Sequence, residues 1–322
     1  MQHALRRLRL DGGAVTPIRD GEVNEHWLVE TDTAAWVLRR YTRRRPLAAI
    51  TYEHRVLDHL GGAGWPVAPA RPLEDATSVA QVDGRCYALF PRLPGSPADD
   101  TWQGGWRSWG AMLARLHRAT MPLLRLGPRP SFTPLYQTGH PAAAASPPAS
   151  PPNRAGTGAR HLARGRAAAA AAERTLVADE LRRLGAWSLP KTVVHGDFFP
   201  GNLLVSGGQV TGVLDFDFAH PDVRAADLAV TSAYLSDPAD LAELVRGYRT
   251  HILLQEPELA ALPALRAARL VQHLDFCLAL LAGGGDILDE IDQTLDRLAA
   301  ERRHRGELAA MLRSLPPDTV SG

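Results

Sequence analysis

Residues 193–217, VVHGDFFPGNLLVSGGQVTGVLDFD, constrain the fold more than any other part of this 322-residue chain. Three short apolar runs, Thr192–Val194, Leu203–Val205 and Val213–Leu214, read as buried strands separated by turns. His195-Gly196-Asp197 follows the first run, Asn202 comes five residues after Asp197, and Asp215 a further 13 on. Loops at strand ends then hold two carboxylates and one amide around a common point. Such a trio suits a divalent metal with phosphate oxygens and leaves one carboxylate to accept a proton. Taken singly, Asp215 reads as a turn residue after a strand and Asn202 as a turn residue beside Gly201. All three together within 19 positions argue against that reading.

In order, spacing and strand-like flanks, His195–Asn202 (HGD-x4-N) with Leu214-Asp215 resembles the catalytic core of the aminoglycoside phosphotransferase/choline kinase family. The resemblance implies an α+β, two-lobed, protein-kinase-like fold, with a strand-rich N-terminal lobe and a mainly helical C-terminal lobe. It also implies ATP and Mg²⁺. Asp197 then orients or deprotonates the acceptor hydroxyl, and Asn202 and Asp215 hold the metal on the ATP phosphates. His195 supports its loop by hydrogen bonding. Asp217 has two readings, reaching the metal through water or capping the segment that follows.

The resemblance continues upstream. Glu25–Glu30 and Ala34–Arg40 read as two strands around a turn at Thr31–Ala34. Pro46–Leu60 follows with Leu47, Ile50, Leu57 and Leu60 at helical spacing, closed by Gly61-Gly62. In the family, a strand lysine binds the ATP phosphates and pairs with a glutamate on the next helix. Here Arg39 stands at the lysine position and Glu53 is the natural partner. Arginine is a planar fork and lysine a compact point charge, so the exchange matters. Lys191 is the chain's one lysine, leaving 35 of the 36 basic residues as arginine, so no lysine can substitute on this strand. A guanidinium can still bridge phosphate oxygens and a carboxylate.

Ser78–Val82 and Arg85–Phe90 flank Asp83-Gly84, a two-residue hairpin signal. Phe90-Pro91-Arg92-Leu93-Pro94-Gly95 then breaks the strand. The resemblance makes this segment the hinge between lobes, with Phe90 and Arg92 among the nucleotide contacts. The lobes are expected at 1–93 and 94–322. Arg19–Asn24 is the expected phosphate-covering loop, without a GxGxxG signature, and no GxxxxGK[ST] run exists, which excludes a P-loop ATPase.

Thr101–Ala119 reads as a helix with Trp102, Trp106, Trp109, Leu113 and Leu116 on one core-facing stripe, and His117 as a packing or capping residue. Residues 127–172 are low in complexity. The whole stretch is expected to be a flexible insertion, its proline-rich part (PAAAASPPASPP) without regular structure, although Ala167–Ala172 can start a helix continuing through Arg183. Asp227-Leu228-Ala229 resembles the family's DLA, whose aspartate buttresses the catalytic loop. Helices are expected over 239–251, 257–281 and 286–312, with an acidic, solvated face at Asp286–Asp296 and with His273 and Asp275 as candidate acceptor contacts.

The formal net charge of +1 gives no bias toward a polyanion, and the basic run Arg39–Arg45 reads as a solvated entry to the helix, so no nucleic-acid partner is expected. Two cysteines make neither a disulfide framework nor a zinc set, consistent with a reduced cytoplasm. The N-terminus has no apolar signal core and no run of 18 apolar residues exists, so neither a signal peptide nor a membrane span is expected. The resulting expectation is a cytoplasmic, ATP-dependent kinase of a small hydroxylated molecule, either a homoserine- or choline-like metabolite or an antibiotic. A nucleotide-binding pseudokinase, suggested by Arg39, is the alternative.

Overall fold

The computed structural model describes residues 2–10, 13–18, 24–98, 105–139, 157–235 and 237–315 (backbone alone over 157–163). The chain divides into two compact units. One comprises 1–103, 122–132 and 199–219; the other comprises 104–121, 133–198 and 220–322. Trp102, Arg19–Val23 and the proline-rich stretch at 140–156 lie outside the described residues.

The first unit is built on a five-stranded antiparallel sheet. Its strands are β1 (Ala14–Ile18), β2 (Glu25–Glu30), β3 (Ala35–Arg40), β4 (Ala80–Val82) and β5 (Arg85–Pro91), in the order β1-β2-β3-β5-β4. The expected turn at Thr31–Ala34 closes through the Thr31 amide and the Ala34 carbonyl. Asp83 and Gly84 both take positive φ, 50° and 69°, as a two-residue hairpin requires. Side chains alternate across a strand, so Leu38 points to one face, where it joins Leu5, Leu8 and Val29 beneath α1 (Gln2–Arg7). Arg39 lies on the other.

Helix α2 (Leu47–Gly62) buries Ile50, Glu53, Val56, Leu57 and Leu60. The i, i+3 and i+7 spacing makes this one stripe, so Glu53 occupies a position that an apolar residue would otherwise fill. A second sheet in this unit joins β6 (Ser96–Pro97), β8 (Leu203–Ser206) and β9 (Gln209–Val213).

The other unit is mainly helical. It contains α3 (Gly105–Thr120), α4 (Thr157–Arg183), α5 (Ala225–Ser232), α6 (Pro238–Arg249), α7 (Glu256–Ala282) and α8 (Leu288–Ser314), plus the antiparallel pair β7 (Lys191–Val194) and β10 (His220–Val223). Trp109, Leu113 and Leu116 form the buried stripe of α3. Low complexity in 157–172 does not prevent order, because alanine is the best helix former and this stretch lies within α4. The acidic residues at the start of α8 are largely exposed, as expected, and two of them also pair: Asp292 with Arg166 and Glu290 with His273. Among the described residues no helix is long and apolar enough to cross a membrane.

Candidate active site

In the strand-rich unit, β3 faces Arg39 toward α2. Its cross-strand partner on β5 is Ala88, whose small side chain leaves room for a guanidinium. Arg39 Nη1 donates to Glu53 Oε1 at 2.7 Å and Nε donates to His26 Nε2 at 2.9 Å. Phe90, buried at the next outward position of β5, sits 5.1 Å under the same guanidinium. The expected strand-to-helix pair is thus made, with arginine in place of lysine.

A second carboxylate completes the cluster. Asp217 is 2% exposed and lies 2.6 Å from Arg45 and 4.0 Å from Arg39, and it accepts the Asn24 side-chain amide at 2.9 Å. Arg129 lies 3.6 Å from Glu53 and donates to the carbonyls of Ala49 and Ala219. Three guanidiniums, two of them with a little solvent exposure, therefore face two buried carboxylates. Burial pushes the Asp217 carboxyl up, but Arg39 and Arg45 outweigh it and hold the group below the usual carboxylate range. Burial pushes Glu53 up, with the Arg39 guanidinium pulling against it. Burial also loosens the Arg39 proton, but the neighbouring carboxylates bind it more strongly and the net shift is upward. We assign ion pairs here, because a neutral Glu53 would leave the Arg39 and Arg129 charges facing Asp217 alone.

This cluster corrects two sequence readings. Arg39–Arg45 is not a solvated run, since the Arg39 and Arg45 side chains are 14% and 9% exposed; only Arg43 and Arg44 of that run face solvent. Asp217 is a buried counter-charge. Asn24, Arg45 and Arg129 were missed because their partners are 80 or more positions away, and no local spacing marks such a contact; His26 faces Arg39 across the β2–β3 pair, 13 positions away, and was missed because no motif marks it.

Arg92 is exposed, and its amide donates to the Ala35 carbonyl at 3.1 Å. The β8–β9 hairpin carries Asn202 and Asp215. The Leu214 amide donates to the Asn202 carbonyl at 2.8 Å, so the residue before Asp215 lies against Asn202 at one end of the hairpin. Asp215 takes φ 58°, a left-handed conformation that costs a non-glycine residue about 1 kcal/mol and re-aims its side chain. Both residues are part-buried and supply hard oxygens. A carboxylate and an amide oxygen fit a hard divalent cation that takes its remaining ligands from phosphates and water. Accordingly, no cluster of three or more acidic, histidine or cysteine side chains marks a self-contained metal site among the described residues.

In the helical unit, β7 ends at Val194 and the HGD loop begins. Asp227, in the first turn of α5 and fully buried, accepts the amides of His195 and Gly196, each at 2.7 Å. His117 Nε2 donates to the same carboxylate at 2.9 Å, and its Nδ1 faces the Tyr248 hydroxyl at 2.8 Å. Burial pushes Asp227 up; the His117 bond and the two amides carry it below the ordinary value. The buttress expected of Asp227 is present, and His117 packs in support of it. His195 Nδ1 accepts the Asp197 amide at 3.3 Å, the loop-supporting role expected of it. Asp197 Oδ1 accepts the Tyr234 hydroxyl at 3.1 Å and lies 3.6 Å from Arg269. Neither Tyr234 nor Arg269 has a signature in the sequence. The expected acceptor contacts His273 and Asp275 lie against Glu290 and Arg174 respectively.

The profile of the phosphotransferase enzyme family (APH) matches residues 14–266. The chain belongs to that family. It is similar to the homoserine kinases of Zymomonas mobilis (29% identity over 267 residues, 80% of this chain and 78% of the relative) and Azorhizobium caulinodans (27% over 278 residues, 80% and 77%). Among solved structures it resembles a microcompartment-associated aminopropanol kinase, with a TM-score of 0.69 at 18% identity over 98% of this chain and 99% of the other. It also resembles an amicoumacin kinase in complex with AMP-PNP, Ca²⁺ and Ami, with a TM-score of 0.66 at 17% identity over 99% and 95%. The fold is therefore the protein-kinase-like phosphotransferase fold, and the chain is an ATP-dependent small-molecule kinase.

Proposed function

We propose that this kinase transfers the γ-phosphate of ATP to the hydroxyl of a small amino-alcohol metabolite, with homoserine the leading acceptor and Mg²⁺ the metal. The homoserine kinases at 27–29% identity support the acceptor class. One observation supports the chemistry most directly. Asp197 follows a loop whose two amides are fixed by a buried aspartate, so its carboxylate is held in place before an acceptor arrives.

In this reading Asp197 accepts the hydroxyl proton as the acceptor oxygen bonds to the γ-phosphorus. The bond from that phosphorus to the β,γ-bridging oxygen breaks, and ADP leaves with the electron pair. Arg39, oriented by Glu53, binds phosphate oxygens, and the 90–95 segment with Phe90 and Arg92 borders the adenine. Asn202 and Asp215 hold the metal, which offsets phosphate charge when bound. Catalysis is then mainly placement and electrostatics. In the same reading the enzyme works in the cytoplasm, where ATP is available.

The test is transfer of labelled γ-phosphate to a panel of amino alcohols, sugars, aminoglycosides and macrolides. Asp197→Asn should keep nucleotide binding and lose roughly 10²–10⁴-fold in kcat; near-wild-type turnover would remove Asp197 from the chemistry. Asp215→Ala should abolish the magnesium-dependent part of the rise in melting temperature produced by ATP. An unchanged magnesium titration would remove Asp215 from the metal site.

A further inference from the structure

Two arginines on one face of α7 have different surroundings. Arg266 contacts Glu301 at 2.7 Å and donates to the Ser232 carbonyl at 2.6 Å, so it is a structural clamp. Arg297 of α8 donates to the next carbonyl, Ala233, at 2.8 Å. Together they fix the chain just before Tyr234, whose hydroxyl meets Asp197.

Arg269 is three residues after Arg266. Among the described residues its ion pair is with Asp197, whose Oδ1 lies 3.6 Å away, and a quarter of its side chain is exposed. That oxygen already accepts the Tyr234 hydroxyl. A guanidinium committed to a carboxylate adopts a short, two-pronged contact, as Arg224 does on Glu258 with both bonds at 2.7 Å. Arg269 does not: it is shared between Asp197 Oδ1 and the Tyr234 hydroxyl, contacts that use only part of its five donors.

We propose that Arg269 binds a carboxylate of the acceptor, so the enzyme selects a hydroxy amino acid over the corresponding amino alcohol. This rests on Asp197 being the group that meets the acceptor hydroxyl. A guanidinium beside that group repels a cationic acceptor and offers a planar fork to a carboxylate. The acceptor's hydroxyl then meets Asp197 while its carboxylate lies on Arg269. Polycationic antibiotics are disfavoured by the same charge.

The experiment compares kcat/KM for homoserine and for 3-aminopropan-1-ol, the same skeleton without the carboxylate, in wild type, Arg269→Gln and Arg269→Lys. The wild type should prefer homoserine. Arg269→Gln should cut the preference ratio roughly 10- to 100-fold, mainly through the KM for homoserine, and Arg269→Lys should restore part of it. If Arg269 only tunes Asp197 or supports the fold, both acceptors lose rate together and the ratio stays fixed, which overturns the inference. Absence of transfer to any acceptor by the wild type would instead sink the kinase reading. Calorimetric binding of the two probes then decides Arg269 on its own: equal homoserine affinity in wild type and Arg269→Gln overturns it, and selective loss supports it.

Discussion

Arg39 sits where a charge is useful only if it is held. Its side chain is 14% exposed, and its partner Glu53 is 1% exposed. Removing one member of such a pair leaves the other charged, buried and unpaired, which costs about 3–5 kcal/mol. Arg39→Met should therefore lower stability by about 3 kcal/mol in chemical denaturation and also raise the KM for ATP. Arg39→Lys should lose less stability, since the charge remains, but a point charge cannot bond His26 and Glu53 together as the fork does. In the double variant Arg39→Met/Glu53→Gln the loss should be smaller than the sum of the single losses, because no uncompensated carboxylate remains. A strictly additive double variant would mean the pair is not an energetic unit.

At the scale of elements, α3 and α6 cross with their backbones close together. A Cβ at Gly110 would overlap the Leu244 carbonyl oxygen, and one at Gly247 would overlap the Arg107 carbonyl oxygen. Backbones approach this closely only when both contact positions lack side chains. Gly110→Ala or Gly247→Ala should cost at least about 3 kcal/mol, far above the gain of up to about 1 kcal/mol that alanine brings to a helix interior. Thermal unfolding of the two variants checks this, and an unchanged midpoint in either would deny the close crossing. Sequence reading found these helices but not this contact. Periodicity reports which face of a helix is buried, as for Trp109, Leu113 and Leu116, and is silent on which helix covers it. The same limit separates the site residues. Asp197, Asn202 and Asp215 were legible because one contiguous segment carries them, and Glu53 because its strand and helix are adjacent. Arg129, Asp217 and Arg269 act through partners brought near only by folding. The proline-rich stretch at 140–156, expected to be flexible, lies outside the described residues.

For the molecule as a whole, acid should be the destabilising direction, and the buried His54 and part-buried His26 of the strand-rich unit set its onset. His54 is 1% exposed and bonds the Tyr41 hydroxyl at 2.9 Å and the Ser78 hydroxyl at 2.6 Å. Burial, then the charges of Arg39 and Arg129, lowers it from 6.5 to about 3. His26 is lowered to about 4 by burial and by Arg39. Between pH 6.5 and these values the unfolded chain takes up protons that the folded chain refuses. Stability therefore falls as pH falls through that window, by up to about 1.4 kcal/mol per pH unit for a fully buried imidazole. Asp217 and Asp227, held below 3.8, add a second loss only at still lower pH. Glu53, raised by burial, works in the opposite sense above its ordinary value of 4.5. Comparing wild type with His54→Gln subtracts that contribution, since glutamine keeps a hydrogen-bonding side chain but does not titrate. Urea midpoints measured at pH 7 and pH 4.5 should fall more steeply for the wild type than for His54→Gln. Equal slopes would mean that His54 titrates alike in the folded and unfolded chain, and would leave the acid limit to His26 and the carboxylates.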